Sequence, residues 1–318
     1  MSNRFTVAVA LATYNGEYYI KEQLLSIKNQ TYSVDEVVIC DDASCDNTVK
    51  IVKDFIYENA LNWKLVINDK NVGYKLNFKN CLSQISSDLV FLCDQDDIWL
   101  PEKVEEILEI FLKNPSCLGV NSAYTCIDAN GENIDKKSLK KSFKLTDKDK
   151  KISFEQVIKQ NTTPGCTSCY KKSVVEEYLQ VTDSSLPHDW ELNILAAKSD
   201  GLYYVDKALT KYRLHGSNAI GLEMNGNFSV KLKGSEEKRK EILKIQEKRA
   251  EYLKKSKENN LANRFSTFLE NRKSAIYDKK VLPAVKNLLK VCGLRSIESV
   301  SFKSAIGDIV FALKGKGK

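Results

Sequence analysis

Asp88-Leu89-Val90-Phe91-Leu92-Cys93-Asp94-Gln95-Asp96-Asp97-Ile98-Trp99-Leu100-Pro101 is the stretch on which the reading of the chain turns. Leu89 to Cys93 is a short continuous apolar run, the pattern of a strand buried on both faces. It stops abruptly at three carboxylates, Asp94, Asp96 and Asp97. Strand side chains alternate, so Asp94 and Asp96 are expected to share a direction while Gln95 points away. Adjacent carboxylates repel unless a cation neutralises them, and Mg²⁺ or Mn²⁺ would do so while also holding phosphate. A solvated acidic turn, with Pro101 opening the next helix, is the plainer alternative.

The residues upstream repeat the same grammar. Phe5 to Leu11 is a continuous apolar run ending in Ala12-Thr13-Tyr14-Asn15-Gly16, and Glu17 to Asn29 follows with helical spacing at Ile20, Leu24 and Ile27. Val34 to Cys40 reads as a second strand, ending in Asp41-Asp42-Ala43-Ser44, with a helix after it that turns Val49, Val52 and Phe55 inward. Trp63 to Asn68 reads as a third, before the turn Asn71-Val72-Gly73-Tyr74 and another helix. This alternation predicts an α/β fold with right-handed crossovers, a mostly parallel central sheet and flanking helices. Ligands in such sheets bind beyond the carboxyl ends of the strands. Thr13-Tyr14-Asn15, Asp41-Asp42 and Asp94–Asp97 all fall at such ends, and so are expected on one edge.

Downstream the pattern is looser. A helix carries Val104, Leu108 and Phe111, and Cys117–Asn121 and Tyr124–Ile127 read as two short strands. Asp128 to Lys151 is polar and lysine-rich, as in a long loop or lid. Pro187-His188-Asp189-Trp190 precedes an expected helix, Glu191 to Ser199. Leu202–Val205 and Ala208–Tyr212 read as two further strands, closed by Arg213-Leu214-His215. From about Met224 the character changes to lysine-rich helices, with a narrow apolar stripe at Ile242, Ile245, Tyr252 and Leu253. Two domains are therefore expected, 1–223 and a basic helical extension, 224–318.

Composition sets the outer limits. The 318 residues are 42% hydrophobic and 29% charged, ordinary for a globular protein. The +7 net charge is mild and concentrated late, which argues against a nucleic-acid-binding core. Two histidines are too few for a His-rich metal centre. Nine cysteines without framework spacing, several inside apolar runs, indicate reduced thiols and a cytoplasmic setting. Cys166-Thr167-Ser168-Cys169 is a lone CxxC without a second pair. No run reaches the length of a membrane span, and no signal peptide precedes Phe5.

Neither a Gly-x-Gly-x-x-Gly nor a P-loop follows the first strand. What remains is a nucleotide site that holds phosphate through carboxylates and a cation. Ala12-Thr13-Tyr14-Asn15-Gly16, Asp41-Asp42-Ala43-Ser44, Asn71-x-Gly73, Asp94-Gln95-Asp96-Asp97 and His188-Asp189-Trp190 stand in an order that resembles family 2 glycosyltransferases of the GT-A fold. The form Asp94-Gln95-Asp96-Asp97-Ile98-Trp99-x-Pro101-x-Lys103 looks most like bacterial rhamnosyltransferases that build surface polysaccharides.

The resemblance implies roles. Thr13, Tyr14 and Asn15 would line the pocket for the base, and Asp42 would accept the imide N–H of uracil or thymine, with Asn71 and Gly73 beside the nucleotide. Asp96 would ligate the Mg²⁺ or Mn²⁺, Asp94 would contact ribose or metal, and Asp97 would support either. Arg213 would contact the diphosphate and His215 the metal. Asp189 would be the general base of a single displacement with inversion, although an Asp there also caps a helix well. Trp190 would either stack on a sugar or lie in the core. The implied activity is transfer from a nucleotide-diphosphate sugar, dTDP-L-rhamnose first and a UDP-hexose or UDP-N-acetylhexosamine second, to a growing polysaccharide or lipid-linked oligosaccharide. A catalytically inactive nucleotide-sugar-binding assembly protein is the rival class. The basic C-terminal region would dock on the inner face of the membrane or serve as a solvated appendage.

Overall fold

The computed structural model describes residues 4–134, 150–159, 161, 163–181, 186–215, 236–255, 259–293, 308–309 and 311–313. By its contacts the chain divides into two compact units, one of Met1–Val157, Asn161–Thr182 and Pro187–Met224, the other of Ile158–Gln160, Asp183–Leu186 and Asn225–Lys318.

The first unit is built on strands β1 (Val7–Thr13), β2 (Glu36–Asp41), β3 (Lys64–Ile67), β4 (Leu89–Asp94), β5 (Ile98–Trp99), β6 (Gly119–Ile127), β7 (Lys150–Lys151), β8 (Ser168–Lys171) and β9 (Leu202–Arg213). They form one sheet in the order β3-β2-β1-β4-β8-β6-β9-β5, with β7 paired to β9. Helices α1 (Ile20–Lys28), α2 (Thr48–Glu58), α3 (Tyr74–Leu82), α4 (Lys103–Lys113), α5 (Phe154–Lys159), α6 (Lys172–Gln180) and α7 (His188–Lys198) flank it. Val7, Val9 and Leu11 of β1 and Leu89, Phe91 and Cys93 of β4 are buried in one core with Ile20, Leu24 and Val52 from the helices. Transfer of each such side chain from water contributes about 1.5–3 kcal/mol, which is why these apolar runs take the centre of the sheet.

The expected parallel arrangement holds from β3 to β4. Beyond β4 the sheet is mixed, because β8 runs antiparallel to both β4 and β6. Two reversals restore direction, so β6 runs with β4, and β9 pairs parallel to β6. The carboxyl ends of β1, β2, β4, β6 and β9 therefore share an edge with the amino end of β8. The switch of strand order around β1 opens the crevice there.

Two pairs of expected strands are single elements. β6 runs unbroken through Asn121–Tyr124, and β9 is one twelve-residue strand whose register against β6 jumps between Val205 and Ala208. Asp206 and Lys207 sit in that irregularity, exposed and half-buried respectively. Polar residues at a bulge were read as a chain break. α7 starts at His188 rather than Glu191, with Pro187 extended at its N-cap. Residues 135–149 of the expected lid and 216–218 after His215 lie outside the described residues.

The second unit contains α8 (Glu236–Lys255), α9 (Asn259–Ile276) and α10 (Val281–Gly293). Leu243, Tyr252, Leu253, Phe265, Phe268 and Leu269 are buried. Tyr252 and Leu253 thus lie on the inward stripe, whereas the side chains of Ile242 and Ile245 are outside the described set. Buried Arg272 is satisfied by Gln246 at 2.8 Å and Asp308 at 3.0 Å.

Candidate active site

At the β1–β2 corner the carboxylates organise loops. Asp41 accepts Thr13 Oγ1 at 2.8 Å, Ser44 N at 2.8 Å and Ser44 Oγ at 2.6 Å. Asp42 Oδ1 accepts Asn68 Nδ2 and Val72 N at 2.9 and 2.8 Å, and its Oδ2 accepts Gly73 N at 2.9 Å. Two oxygens have about four acceptor positions, so Oδ2 keeps one for a ligand. Asn15 takes a left-handed φ of 48°, donates from its amide to Ser44 Oγ, and accepts Cys45 N on Oδ1. Asn71 Oδ1 accepts Gly73 N at 3.1 Å. Thr13 is buried, while Tyr14 keeps its ring 44% exposed above the crevice edge.

Gln95 joins this corner to β4. Its Oε1 accepts Tyr14 N at 2.7 Å and its Nε2 donates to Tyr14 O at 2.9 Å. A Cβ on Gly16 would stand 2.3 Å from Gln95 Oε1, so the amide occupies the space that only glycine leaves.

β4 ends at Asp94 and the chain turns, so strand alternation does not carry through Asp96. Asp94, Asp97 and Cys166 gather instead, each offering a donor atom within 4.8 Å of the others. Asp96 turns toward β9, where its Oδ2 lies 2.8 Å from His215 Nε2. Burial, then Asp97 and Asp96, push the Asp94 carboxyl well above the usual carboxylate range. Burial and then Asp96 raise Asp97 to about 7. Asp97 Oδ1 accepts Arg213 N at 2.9 Å, and its buried Oδ2 has no hydrogen-bond partner among the described residues. Lys103 is fully buried beneath the cluster, bonded to Cys166 O at 2.5 Å and Thr210 Oγ1 at 3.0 Å, and 3.8 Å from the centre of the Trp99 ring. The cluster is short of positive charge. Asp96 and His215, paired at 2.8 Å, are an O and an N donor that suit Mn²⁺ or Mg²⁺, while Asp94 is grouped with Asp97 and Cys166. The Cys166 thiol is soft, and burial pushes it well up, so it stays protonated and does not suit a hard ion.

Arg213, expected to contact the diphosphate, is bonded within the protein. Its side chain is 2% exposed, with Nε bonded to Asp96 O at 2.7 Å, Nη1 to Asp128 O and Ala129 O, and Nη2 to Glu22 Oε2 at 2.5 Å. The guanidinium also stacks over Tyr19 at 4.7 Å. It pins the Asp96–Asp97 turn to β9 and to the β6 exit, and its donors are taken up in doing so.

Asp189 lies in the first turn of α7, 9% exposed. Its Oδ1 accepts Trp190 N at 2.8 Å and its Oδ2 accepts Asn161 Nδ2 at 2.6 Å. Burial raises its carboxyl, and it acts in turn on Asp94 across the crevice. A Cβ on Gly165 would stand 3.1 Å from Asp189 Cβ, so the Pro164–Thr167 turn can lie close against the acid only with glycine there. Trp190 is core, 7% exposed, with Nε1 donating to Val157 O at 2.7 Å. His188 stacks on Phe78 at 4.0 Å between centroids, and among the described residues neither of its ring nitrogens has a hydrogen-bond partner. Burial, then Lys75, lowers its pKa to about 3.

Sequence reading missed Asn161, Asn193, Asn121 and Tyr170, which stand behind Asp189. They belong to no motif, and the one signal among them is Asn193, a polar residue between Leu192 and Ile194.

The family model described as "Glycosyl transferase family 2" matches residues 8–179. The chain is similar to dTDP-rhamnosyl transferase RfbG of Shigella flexneri, 29% identical over 252 residues that cover 74% of this chain and 83% of that protein. It is 32% identical over 110 residues to UDP-Glc:alpha-D-GlcNAc-diphosphoundecaprenol beta-1,3-glucosyltransferase WfgD of Escherichia coli, covering 35% of this chain and 42% of that one. Among solved structures, S. aureus TarS 1-349 in complex with UDP-GlcNAc aligns at TM-score 0.60 and 18% identity over 96% of this chain and 81% of that one. The mannosyltransferase PcManGT from Pyrobaculum calidifontis, in complex with GDP-Man and Mn²⁺, aligns at 0.51 and 15% identity, over 99% and 88% of the two chains. At these identities the structural likeness is one of fold, and the fold is the GT-A type.

Proposed function

This chain belongs to glycosyl transferase family 2 and is a glycosyltransferase, and from that premise we propose that it moves L-rhamnose from dTDP-L-rhamnose, with inversion and with a divalent metal, onto a growing bacterial polysaccharide or lipid-linked oligosaccharide. The observation that carries this reading is the meeting of two differently equipped acids at one sheet edge. Asp96 is paired with His215 at 2.8 Å, and Asp189 stands on α7 with Oδ2 held by Asn161 and Oδ1 by the Trp190 amide. The similarity to RfbG supports the donor.

In this reading the exposed Tyr14 ring and the remaining acceptor position on Asp42 Oδ2 receive the pyrimidine, whose imide N–H needs an acceptor that cannot donate. Asp96, His215 and Asp94 would hold the metal, which when bound neutralises charge on the departing nucleoside diphosphate. Asp189 takes the proton of the acceptor hydroxyl as its oxygen attacks the anomeric carbon. Attack opposite the leaving group inverts the configuration. Arg213 serves as the brace that keeps the Asp96–Asp97 turn against β9.

A UDP-hexose or UDP-N-acetylhexosamine donor is the second reading, favoured by the similarity to WfgD and by the TarS fold match. Peripheral membrane contact through α8 completes the proposal. Among the described residues no helix is long and apolar enough to cross a membrane, whereas Lys244, Lys248 and Lys254 of α8 are exposed and would each contribute about 1 kcal/mol at an anionic surface. Co-sedimentation with anionic vesicles checks that part.

Thermal denaturation with dTDP-rhamnose, UDP-glucose, UDP-GlcNAc and GDP-mannose, each with and without Mn²⁺, tests the donor and the metal together. dTDP-rhamnose with Mn²⁺ is expected to stabilise most, by about 2.7 kcal/mol at a hundredfold excess over Kd. Stabilisation by UDP sugars alone would replace the donor with the second reading. Equal shifts with and without Mn²⁺ would overturn the metal.

A further inference from the structure

Behind Asp189 lies a chain of polar side chains with no part in the chemistry described so far. Asn161 Nδ2 donates to Asp189 Oδ2 at 2.6 Å, and Asn193 Nδ2 donates to Asn161 Oδ1 at 3.1 Å. Asn193 Oδ1 in turn accepts Asn121 Nδ2 and Tyr170 Oη, both at 2.9 Å. The members come from β6, β8, α7 and the loop after α5, and Asn121, Asn193 and Tyr170 have no solvent exposure.

The orientation of every amide in this chain follows from its last member. A carboxylate accepts and cannot donate, so Asn161 must present its NH₂ to Asp189. Its oxygen then faces Asn193, which must answer with NH₂. The Asn193 oxygen is left for the Asn121 amide and the Tyr170 hydroxyl. Turning any one amide over would set oxygen against oxygen or donor against donor in a buried place, at the cost of an unsatisfied polar group. All the dipoles therefore point the same way, and bonds in such a chain strengthen one another.

Resting on Asp189 as the base, we propose that Asn161 is a positioning residue which, held in one orientation by Asn193, Asn121 and Tyr170, presents Asp189 to the acceptor hydroxyl as an oriented carboxylate. Oδ2 is fixed by Asn161 and Oδ1 by the Trp190 amide, so the plane of the carboxylate cannot rotate. The groups that face it from the packed elements are Asp94 of β4, Tyr74 of α3, Tyr170 of β8 and Tyr178 of α6. His188 and Glu191 share its helix, and Lys75 of α3 lies 3.7 Å from Glu191. Among the hydrogen bonds to the Asp189 carboxylate described above, the Asn161 amide is the one side-chain donor, and it favours the ionised form that a base needs.

The test is the titration of the Asp189 carboxyl carbon by ¹³C NMR in the full-length protein, assigned by its loss in Asp189→Asn, together with the pH dependence of kcat/KM. Asn161→Ala is expected to move the carboxyl titration, and with it the acid limb of kcat/KM, up by about one pH unit, the size of one lost charge-assisted bond. Asn193→Ala, which leaves the Asn161–Asp189 bond in place, is expected to move both in the same direction by less. Donor KM stays constant in both, and Asn161→Gln, which keeps an amide, restores part of the shift. An unmoved carboxyl titration in Asn161→Ala or Asn193→Ala overturns the proposal, as does a fall in kcat/KM with an unmoved acid limb. Near-normal turnover by Asp189→Asn would instead remove the base assignment, while the titration still decides whether Asn161 orients the acid.

Discussion

The two walls of the crevice use the same residue and do opposite things with it. On the β1–β2 wall each aspartate is met by donors close at hand. Asp41 and Asp42 gather hydroxyls and backbone amides from three loops. At Asp46 burial works against the charge, yet the Thr48 hydroxyl and amide outweigh it and hold the carboxyl below its usual range. On the β4–α7 wall burial raises Asp94, Asp97 and Asp189 alike, and the first two also push against their neighbours. Negative charge on the first wall orders the loops at the β1–β2 corner. On the second it remains undercompensated until a cation or a proton arrives. A cluster of acids therefore says little by itself, and its hydrogen-bond partners say what it is for.

The strongest way to break this contrast is to neutralise one acid on the second wall. Asp189→Asn keeps the shape of the side chain and cannot take a proton. It is expected to lower kcat by about 10²–10⁴-fold, the usual worth of a positioned base, with donor Kd unchanged by titration calorimetry. Turnover within a few-fold of the wild type would mean that the second wall, like the first, is structural.

The second wall also holds a base that cannot accept a proton where it sits. His188 is buried against Phe78 with its pKa lowered to about 3, whereas in the unfolded chain it titrates near 6.5. Between those values the unfolded state binds a proton that the folded state does not. Stability from this group is therefore complete above pH 6.5 and declines as the pH falls toward 3, at about 1.4 kcal/mol per pH unit. His188→Phe keeps the stack and removes the titration. Its unfolding free energy from urea titration is expected to fall less than that of the wild type between pH 7 and pH 4.5, by a margin of roughly 3 kcal/mol. Parallel declines in the two proteins would show that His188 is hydrated in solution.

How much of this was readable beforehand follows the same division. The first wall was legible because its strands are continuous apolar runs that end in turn residues, so Thr13 and Asp42 could be placed from order alone, on one edge with the Asp94 that begins the second wall. The second wall is assembled by strands that reverse. Cys166 reaches Asp97 because β8 enters the sheet antiparallel, and Arg213 arrives through a β9 that its bulge had disguised as two strands. Arg213 was expected on a phosphate because a basic residue at a strand end has that use. Its bonds to Glu22, Asp96, Asp128 and Ala129 were announced by no motif. Asn193 left no periodic trace, because one polar side chain in an apolar segment looks the same whether it is paired or not, and Asn161 is hidden in the polar run Lys159-Gln160-Asn161-Thr162-Thr163.

Gln95 is where the walls are tied together, and altering it should sharpen the comparison with the least damage to either. Its amide bonds both the N–H and the C=O of Tyr14, so it fixes the backbone under the exposed ring without touching the acids on either side. Gln95→Glu keeps the acceptor for Tyr14 N and loses the donor for Tyr14 O, leaving oxygen against oxygen. One neutral hydrogen bond is worth about 1 kcal/mol, so donor KM is expected to rise by roughly fivefold. kcat should hardly change, because Asp96, His215 and Asp189 keep their partners. The steady-state measurement separates the walls directly. A KM effect alone assigns Gln95 to the nucleotide rim. A matching fall in kcat would mean that the Tyr14 backbone and the acids of β4 move as one body, and the division between an ordering wall and a reacting wall would have to be given up.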